Sequence, residues 1–218
     1  MPPDRPVLSP VMCLTQDREG LSHAEQAARL CAAGARWIQL RMKGAPPARW
    51  VEEARACVGA CRLHGAILVV NDSVEVALES GADGVHLGSL DGDWSGARRR
   101  LGAGRIVGGT VNGTGDARRA VDSGCLDYAG VGPLRFTSTK EGLSPVLGFE
   151  GVFRLIGELG AIPAWVIGGV AAGDLPRLRR GGAAGIAVTS ALHRGGMIEE
   201  NLRELMSSWE AFPAEAPL

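Results

Sequence analysis

The chain carries no surplus of charge of either sign: 23 Lys and Arg stand against 24 Asp and Glu, a formal net charge of −1. Nothing in that balance advertises nucleic acid or an anionic membrane as a partner. The arginine-rich stretches Arg98 to Arg100 and Arg177 to Arg180 fall in expected outer helices, where a solvated face accounts for them. Long apolar runs are also missing. None approaches the roughly 18 residues that span a bilayer, and the first residues lack the basic-then-apolar layout of a signal peptide. The expectation is a soluble, cytoplasmic protein. Cysteines are few and odd in number, five in all, and they sit inside apolar patterns rather than at disulfide-framework spacings. Cys57 and Cys61 lie four apart on the stripe Trp50, Val51, Ala54, Cys57, Val58 and Cys61, which is core packing and not a zinc pair. The four histidines show no metal spacing either. No glycine-rich dinucleotide turn follows the first strand, and no lysine sits inside a strand to form a Schiff base.

What the sequence does have is alternation. Short apolar runs at Val11 to Leu14, Trp37 to Leu40, Ala66 to Val70, Gly84 to Leu87, Arg105 to Val107, Tyr128 to Val131, Ala164 to Ile167 and Gly185 to Val188 read as strands. Helical patterns separate them, from Ser22 to Ala33 at the start to Ile198 to Trp209 at the end, which gives a parallel α/β fold. Four segments echo one another, because Gly34, Gly81, Gly124 and Gly182 each end a helix three or four residues before a strand. Only glycine reaches the left-handed conformation cheaply at that point. Eight such units in 218 residues favour a (β/α)8 TIM barrel over an open doubly wound sheet. The reading is a single domain over 1–218, with 198–218 as a C-terminal helix and tail.

In such a barrel the residues just after each strand converge on one face. They are Gln39, Arg41, Lys43, Asn71, Asp72, His86, Gly88, Asp91, Thr110, Thr137, Thr139, Lys140, Gly168, Gly169 and Ser190. The long loop after Gly132-Pro133, with Thr137, Ser138, Thr139 and Lys140, offers hydroxyls and a cation to an anion. Arg41, Lys43 and Lys140 supply three cations, and Asp72 and Asp91 two hard oxygen ligands, which together suit a magnesium pyrophosphate. Gly168, Gly169 and the helix start at Thr189-Ser190 would grip a second anion. Each residue also has a plainer reading. Asp72 with Glu75 fits a helix capping box, Asp91-Gly92 a turn, and His86 a hydrogen-bonded barrel histidine. Paired glycines after a buried strand suggest that a ligand approaches the backbone closely.

The ordered motifs Gln39 to Lys43, Asn71-Asp72, Asp83 to Gly88 with Asp91, Gly130 to Pro133 with Thr137 to Lys140, Ile167 to Gly169 and Ala187 to Ala191 resemble those of the thiamine phosphate synthases. The resemblance covers nearly the whole chain. It implies an alkyl or aryl transferase that joins hydroxymethylpyrimidine pyrophosphate to thiazole phosphate and releases pyrophosphate. It further implies Mg2+ on Asp72 and Asp91, and pyrophosphate on Arg41, Lys43, Asn71 and Lys140. The pyrimidine would face Gln39 and Thr110, and the thiazole phosphate Thr137, Thr139, Gly169 and Ser190, with Val188 also in the substrate-binding set. Lys140, Arg41 and Lys43 would carry catalysis, with Lys140 following charge onto the leaving group. Ser89-Leu90, Thr110, Asn112 and the Leu134 to Phe136 segment depart from the family's commonest residues. A thiazole tautomerase relative and a silent precursor-binding barrel are the alternatives, and a homo-oligomer is left open.

Overall fold

A computed structural model of the chain describes residues 7–88, 93–136 and 145–211. Among these, eight parallel strands pair in chain order and close into a barrel: β1 (Val11–Leu14), β2 (Trp37–Leu40), β3 (Ile67–Asn71), β4 (Gly84–Leu87), β5 (Ile106–Val111), β6 (Tyr128–Val131), β7 (Ala164–Ile167) and β8 (Gly185–Val188). Closure is made where β1 pairs with β8, Val11 opposite Ile186. The intervening helices are α1 (His23–Ala32), α2 (Pro47–Leu63), α3 (Val74–Ser80), α4 (Trp94–Leu101), α5 (Thr114–Ser123), α6 (Gly148–Leu159), α7 (Leu175–Arg180) and the single turn α8 (Ser190–His193). A final helix, α9 (Ile198–Glu210), lies against α1, α7 and α8 and completes the outer ring. The fold is the (β/α)8 barrel expected from the alternation.

Side chains alternate along each strand, so every strand serves two cores. Outward residues such as Ile38, Leu40, Leu68, Val70 and Val85 pack under the helices. Inward residues Met12, Trp37, Val69, Ile106, Tyr128 and Trp165 plug the barrel. Trp37 meets Tyr128 edge-on at 4.7 Å between centroids and Trp165 at 5.0 Å. These rings explain a difference from the sequence reading, in which the fifth strand ended before Gly108. The strand runs on to Val111. Gly108 lies opposite Tyr128, and a Cβ there would sit 2.1 Å from the phenol ring. The glycine marks a filled barrel interior, not a strand end.

Local chemistry sets the boundaries. Ser22 caps α1 in a capping box with Glu25, as expected. The box expected at Asp72 is absent, because α3 is capped one residue later: Ser73 accepts from the Val76 N–H at 3.2 Å. Asn71, expected beyond the third strand, is its last residue. The glycines after α1, α3, α5 and α7 all have positive φ: Gly34 at 113°, Gly81 at 75°, Gly124 at 57° and Gly182 at 85°.

Candidate active site

One step above the aromatic plug, the inward positions turn polar. Gln39, Asn71, His86, Thr110 and Gly130 occupy the last inward places of β2 to β6 and form the floor of a cavity at the C-terminal mouth of the barrel. Arg41 and Asp72 rise on one wall, while Gly168, Gly169, Val188, Thr189 and Ser190 form the other. Eleven of the residues expected at the site, Gln39, Arg41, Asn71, Asp72, His86, Gly88, Thr110, Gly168, Gly169, Val188 and Ser190, therefore share one cavity. Lys43 stands on the exposed rim beyond Arg41 and does not line it. Asp91, Thr137, Thr139 and Lys140, with Ser89, Leu90 and Ser138, lie outside the described residues.

The floor is ordered by hydrogen bonds. His86 Nδ1 is 2.9 Å from the Tyr128 hydroxyl and Nε2 2.9 Å from the Thr110 hydroxyl, so the histidine is the hydrogen-bonded barrel residue of its plainer reading. Burial pushes the Tyr128 phenol well above its ordinary pKa, which keeps it a neutral partner. Thr110 is 9% exposed and lines the cavity.

Asp72 is the one non-glycine residue with positive φ among those described, at 64°. Such a conformation costs a β-substituted residue on the order of 1 kcal/mol and persists where the surroundings impose it. Here the Asp72 N–H is fixed to the His86 carbonyl at 2.8 Å, and the Asn71 amide donates to the Asp72 carboxylate. Asp72 and Asn71 both line the cavity, so a carboxylate stands there beside a carboxamide. An exposed carboxylate in an open cavity is a donor of the kind that suits Mg2+, which keeps several waters and takes one or two protein carboxylates.

The opposite wall is made by backbone. The Leu134 N–H donates to the Ile167 carbonyl and the Arg135 N–H to the Gly168 carbonyl, both at 2.9 Å, so the β6 loop runs on alongside the end of β7. A Cβ on Gly168 would lie 2.6 Å from Pro133 Cβ, and one on Gly169 2.9 Å from Arg135 Cβ. The two glycines thus accommodate the chain's own loop, where the sequence suggested the close approach of a ligand. Arg135 seals this corner with a bidentate pair to Asp174 at 2.6 and 2.7 Å and a bond to the Gly169 carbonyl at 3.0 Å. Burial pushes the Asp174 carboxyl up, but Arg135 and the Ala171 N–H outweigh it and hold its pKa below the usual value. The helix expected to lend its dipole to Ser190 is only the turn α8, so the Ser190 hydroxyl and nearby N–H groups are what that corner offers.

Two positions noted in the sequence only as departures from the family's residues gain a role here. Asn112 lines the cavity and donates its amide to the Gly132 carbonyl, tying the ends of β5 and β6 together. Arg135 holds the β7 corner. Neither has a local pattern that announces it.

A family model described as thiamine monophosphate synthase matches residues 10–192. A thiamine-phosphate synthase from Bacteroides fragilis is 40% identical over 197 residues, covering 88% of this chain and 96% of the relative. Another, from Myxococcus xanthus, is 39% identical over 190 residues, covering 87% and 86%. Among solved structures, thiamine phosphate pyrophosphorylase from Pyrococcus furiosus superposes with a TM-score of 0.81 at 30% identity, over 92% of this chain and 95% of that one.

Proposed function

The chain belongs to the thiamine monophosphate synthase family, and we propose that its cavity transfers the hydroxymethylpyrimidine group from pyrophosphate to the ring nitrogen of thiazole phosphate. The observation that carries this reading is the two-walled cavity, with Arg41, Asn71 and Asp72 on one side and Gly168, Gly169 and Ser190 on the other. An isomerase of thiazole phosphate would need only the second wall. A pyrophosphate donor gives the first wall a purpose.

Arg41, Lys43, Asn71 and Lys140 hold the pyrophosphate, and Asp72 with Asp91 would hold Mg2+. Bound there, Mg2+ would neutralise charge on the departing pyrophosphate. Gln39 and Thr110 hydrogen-bond the aminopyrimidine and fix its plane. Thr137, Thr139, Gly169, Val188 and Ser190 seat the thiazole phosphate, so that the thiazole nitrogen faces the methylene carbon. The carbon–oxygen bond to pyrophosphate breaks, the electron-rich pyrimidine carries the positive charge, and the nitrogen closes the new bond. The chain's part is positioning and electrostatics, and no protein nucleophile is required. Arg41, Lys43 and Lys140 stabilise charge that grows as the bond breaks, so their loss lowers kcat more than substrate affinity.

The test is a coupled assay with hydroxymethylpyrimidine pyrophosphate and thiazole phosphate, with and without Mg2+, scored for thiamine phosphate and pyrophosphate. Magnesium-dependent product supports the reading. Proton exchange on the thiazole without product would move the assignment to the tautomerase, and binding without either reaction to the silent barrel.

A further inference from the structure

The loop that carries Arg41 and Lys43 has weak support of its own. The β2–β3 pairing ends at Leu40, and behind the loop lies a second cleft lined by Asp17, His23, Met42, Arg49 and Glu53 among others. Met42, between the two cations, packs against the outer core. The main chain on either side of it is held by hydrogen bonds that meet at a single imidazole.

His23, the first residue of α1, is 5% exposed. Its Nδ1 is 2.7 Å from the Thr15 hydroxyl and its Nε2 3.1 Å from Asp17 Oδ1. The same two partners receive the loop. The Arg41 N–H donates to the Thr15 hydroxyl at 3.2 Å, and the Lys43 N–H to Asp17 Oδ2 at 3.3 Å. Donor and acceptor roles close without remainder. A carboxylate only accepts, so a ring with one proton carries it on Nε2. Nδ1 then accepts, and the Thr15 hydroxyl donates to it while accepting from Arg41. Thr15 is itself fully buried, and its N–H donates to the Gln39 carbonyl at 3.0 Å, which anchors the assembly to the end of β2.

We infer that His23 is a positioning residue for the pyrophosphate half of the site: through Thr15 it sets the backbone of Arg41, and through Asp17 that of Lys43. The inference rests on the reading above, in which these two side chains grip pyrophosphate. Arg41 and Lys43 are two residues apart, and each is tied at its own N–H, so the brace fixes the direction in which each side chain leaves the loop. Side chains that orient a binding group are worth about tenfold to a hundredfold in ligand affinity where the comparison has been made at metal sites. The two arms are separable. His23→Asn keeps an acceptor near Nδ1 for Thr15 and loses Asp17, whereas His23→Gln keeps a donor near Nε2 for Asp17 and loses Thr15.

The experiment is calorimetric titration of the full chain and its variants with inorganic pyrophosphate plus Mg2+, and separately with thiazole phosphate. His23→Leu is expected to weaken pyrophosphate about tenfold and His23→Asn and His23→Gln by less, with thiazole phosphate affinity unchanged in all three. Asp17→Ala, which alters a half-exposed carboxylate and spares the buried ring, is expected to match His23→Asn and to add nothing to it in the double variant. Wild-type pyrophosphate affinity in a folded His23 or Asp17 variant overturns the brace, and so does an equal loss of both ligands, which would mean general loosening. A wild-type chain that binds thiazole phosphate and no pyrophosphate overturns the site reading together with the brace, a result distinct from either.

Discussion

The two walls of the cavity are built on opposite principles. On the β2–β3 side the wall is made of side chains, Arg41, Asn71 and Asp72, displayed by a loop and by one residue in a strained backbone conformation. On the β6–β7 side the wall is shaped by the main chain, where Gly132, Gly168 and Gly169 let the loop after β6 press against the end of β7, with the Ser190 side chain beside it. A side-chain wall follows charge as it develops and can lose a member while the fold stands. A backbone wall presents fixed groups and cannot change a residue without moving the loops.

That contrast is broken or sharpened by substitution. The largest effect is expected at Asp72→Gly, where the carboxylate goes and the φ of 64° becomes relaxed. Turnover should fall by about a thousandfold, roughly 4 kcal/mol, while the melting temperature stays within a few degrees of wild type. Parallel loss of stability and activity would mean that Asp72 is structural. Gly168→Ala should do the reverse. Its Cβ meets Pro133 at 2.6 Å in a conformation with φ of 92°, so unfolding should become easier by about 2–4 kcal/mol, read by denaturant titration. In the folded fraction the KM for thiazole phosphate should rise more than that for the pyrimidine pyrophosphate. Arg135→Ala comes next. It breaks the pair to Asp174, whose arginine is 45% exposed, so about 1 kcal/mol of stability and a several-fold rise in thiazole phosphate KM are expected. Thr110→Ser is the smallest. The hydroxyl facing His86 is kept, and kcat/KM should stay within about threefold of wild type.

The sequence made the barrel legible because its signals are local. Short apolar runs, a glycine after each of several helices and a steady βα rhythm fix the topology, and topology alone gathers Gln39, Asn71 and Thr110 onto one floor. What escaped depends on partners distant in the chain. Gly108 reads as the end of a strand until Tyr128 is seen to occupy its side-chain space. Asp72 reads as a cap until Ser73 is seen to serve, which leaves the aspartate in its left-handed turn. Arg135 means little until Asp174, 39 residues on, pairs with it, and the bond from Asn112 to Gly132 spans 20. Gly168 and Gly169 announced a close approach correctly, but not what approaches.

The central claim is that one cavity holds two anions by two independent walls. The direct measurement is a pair of titrations, Mg2+ with inorganic pyrophosphate and thiazole phosphate alone, on wild type, Asp72→Gly and Gly168→Ala. The expected result is a crossed pattern: Asp72→Gly loses pyrophosphate and keeps thiazole phosphate, and Gly168→Ala does the opposite. Loss of the same ligand in both variants would contradict it, because the two walls would then be serving a single anion.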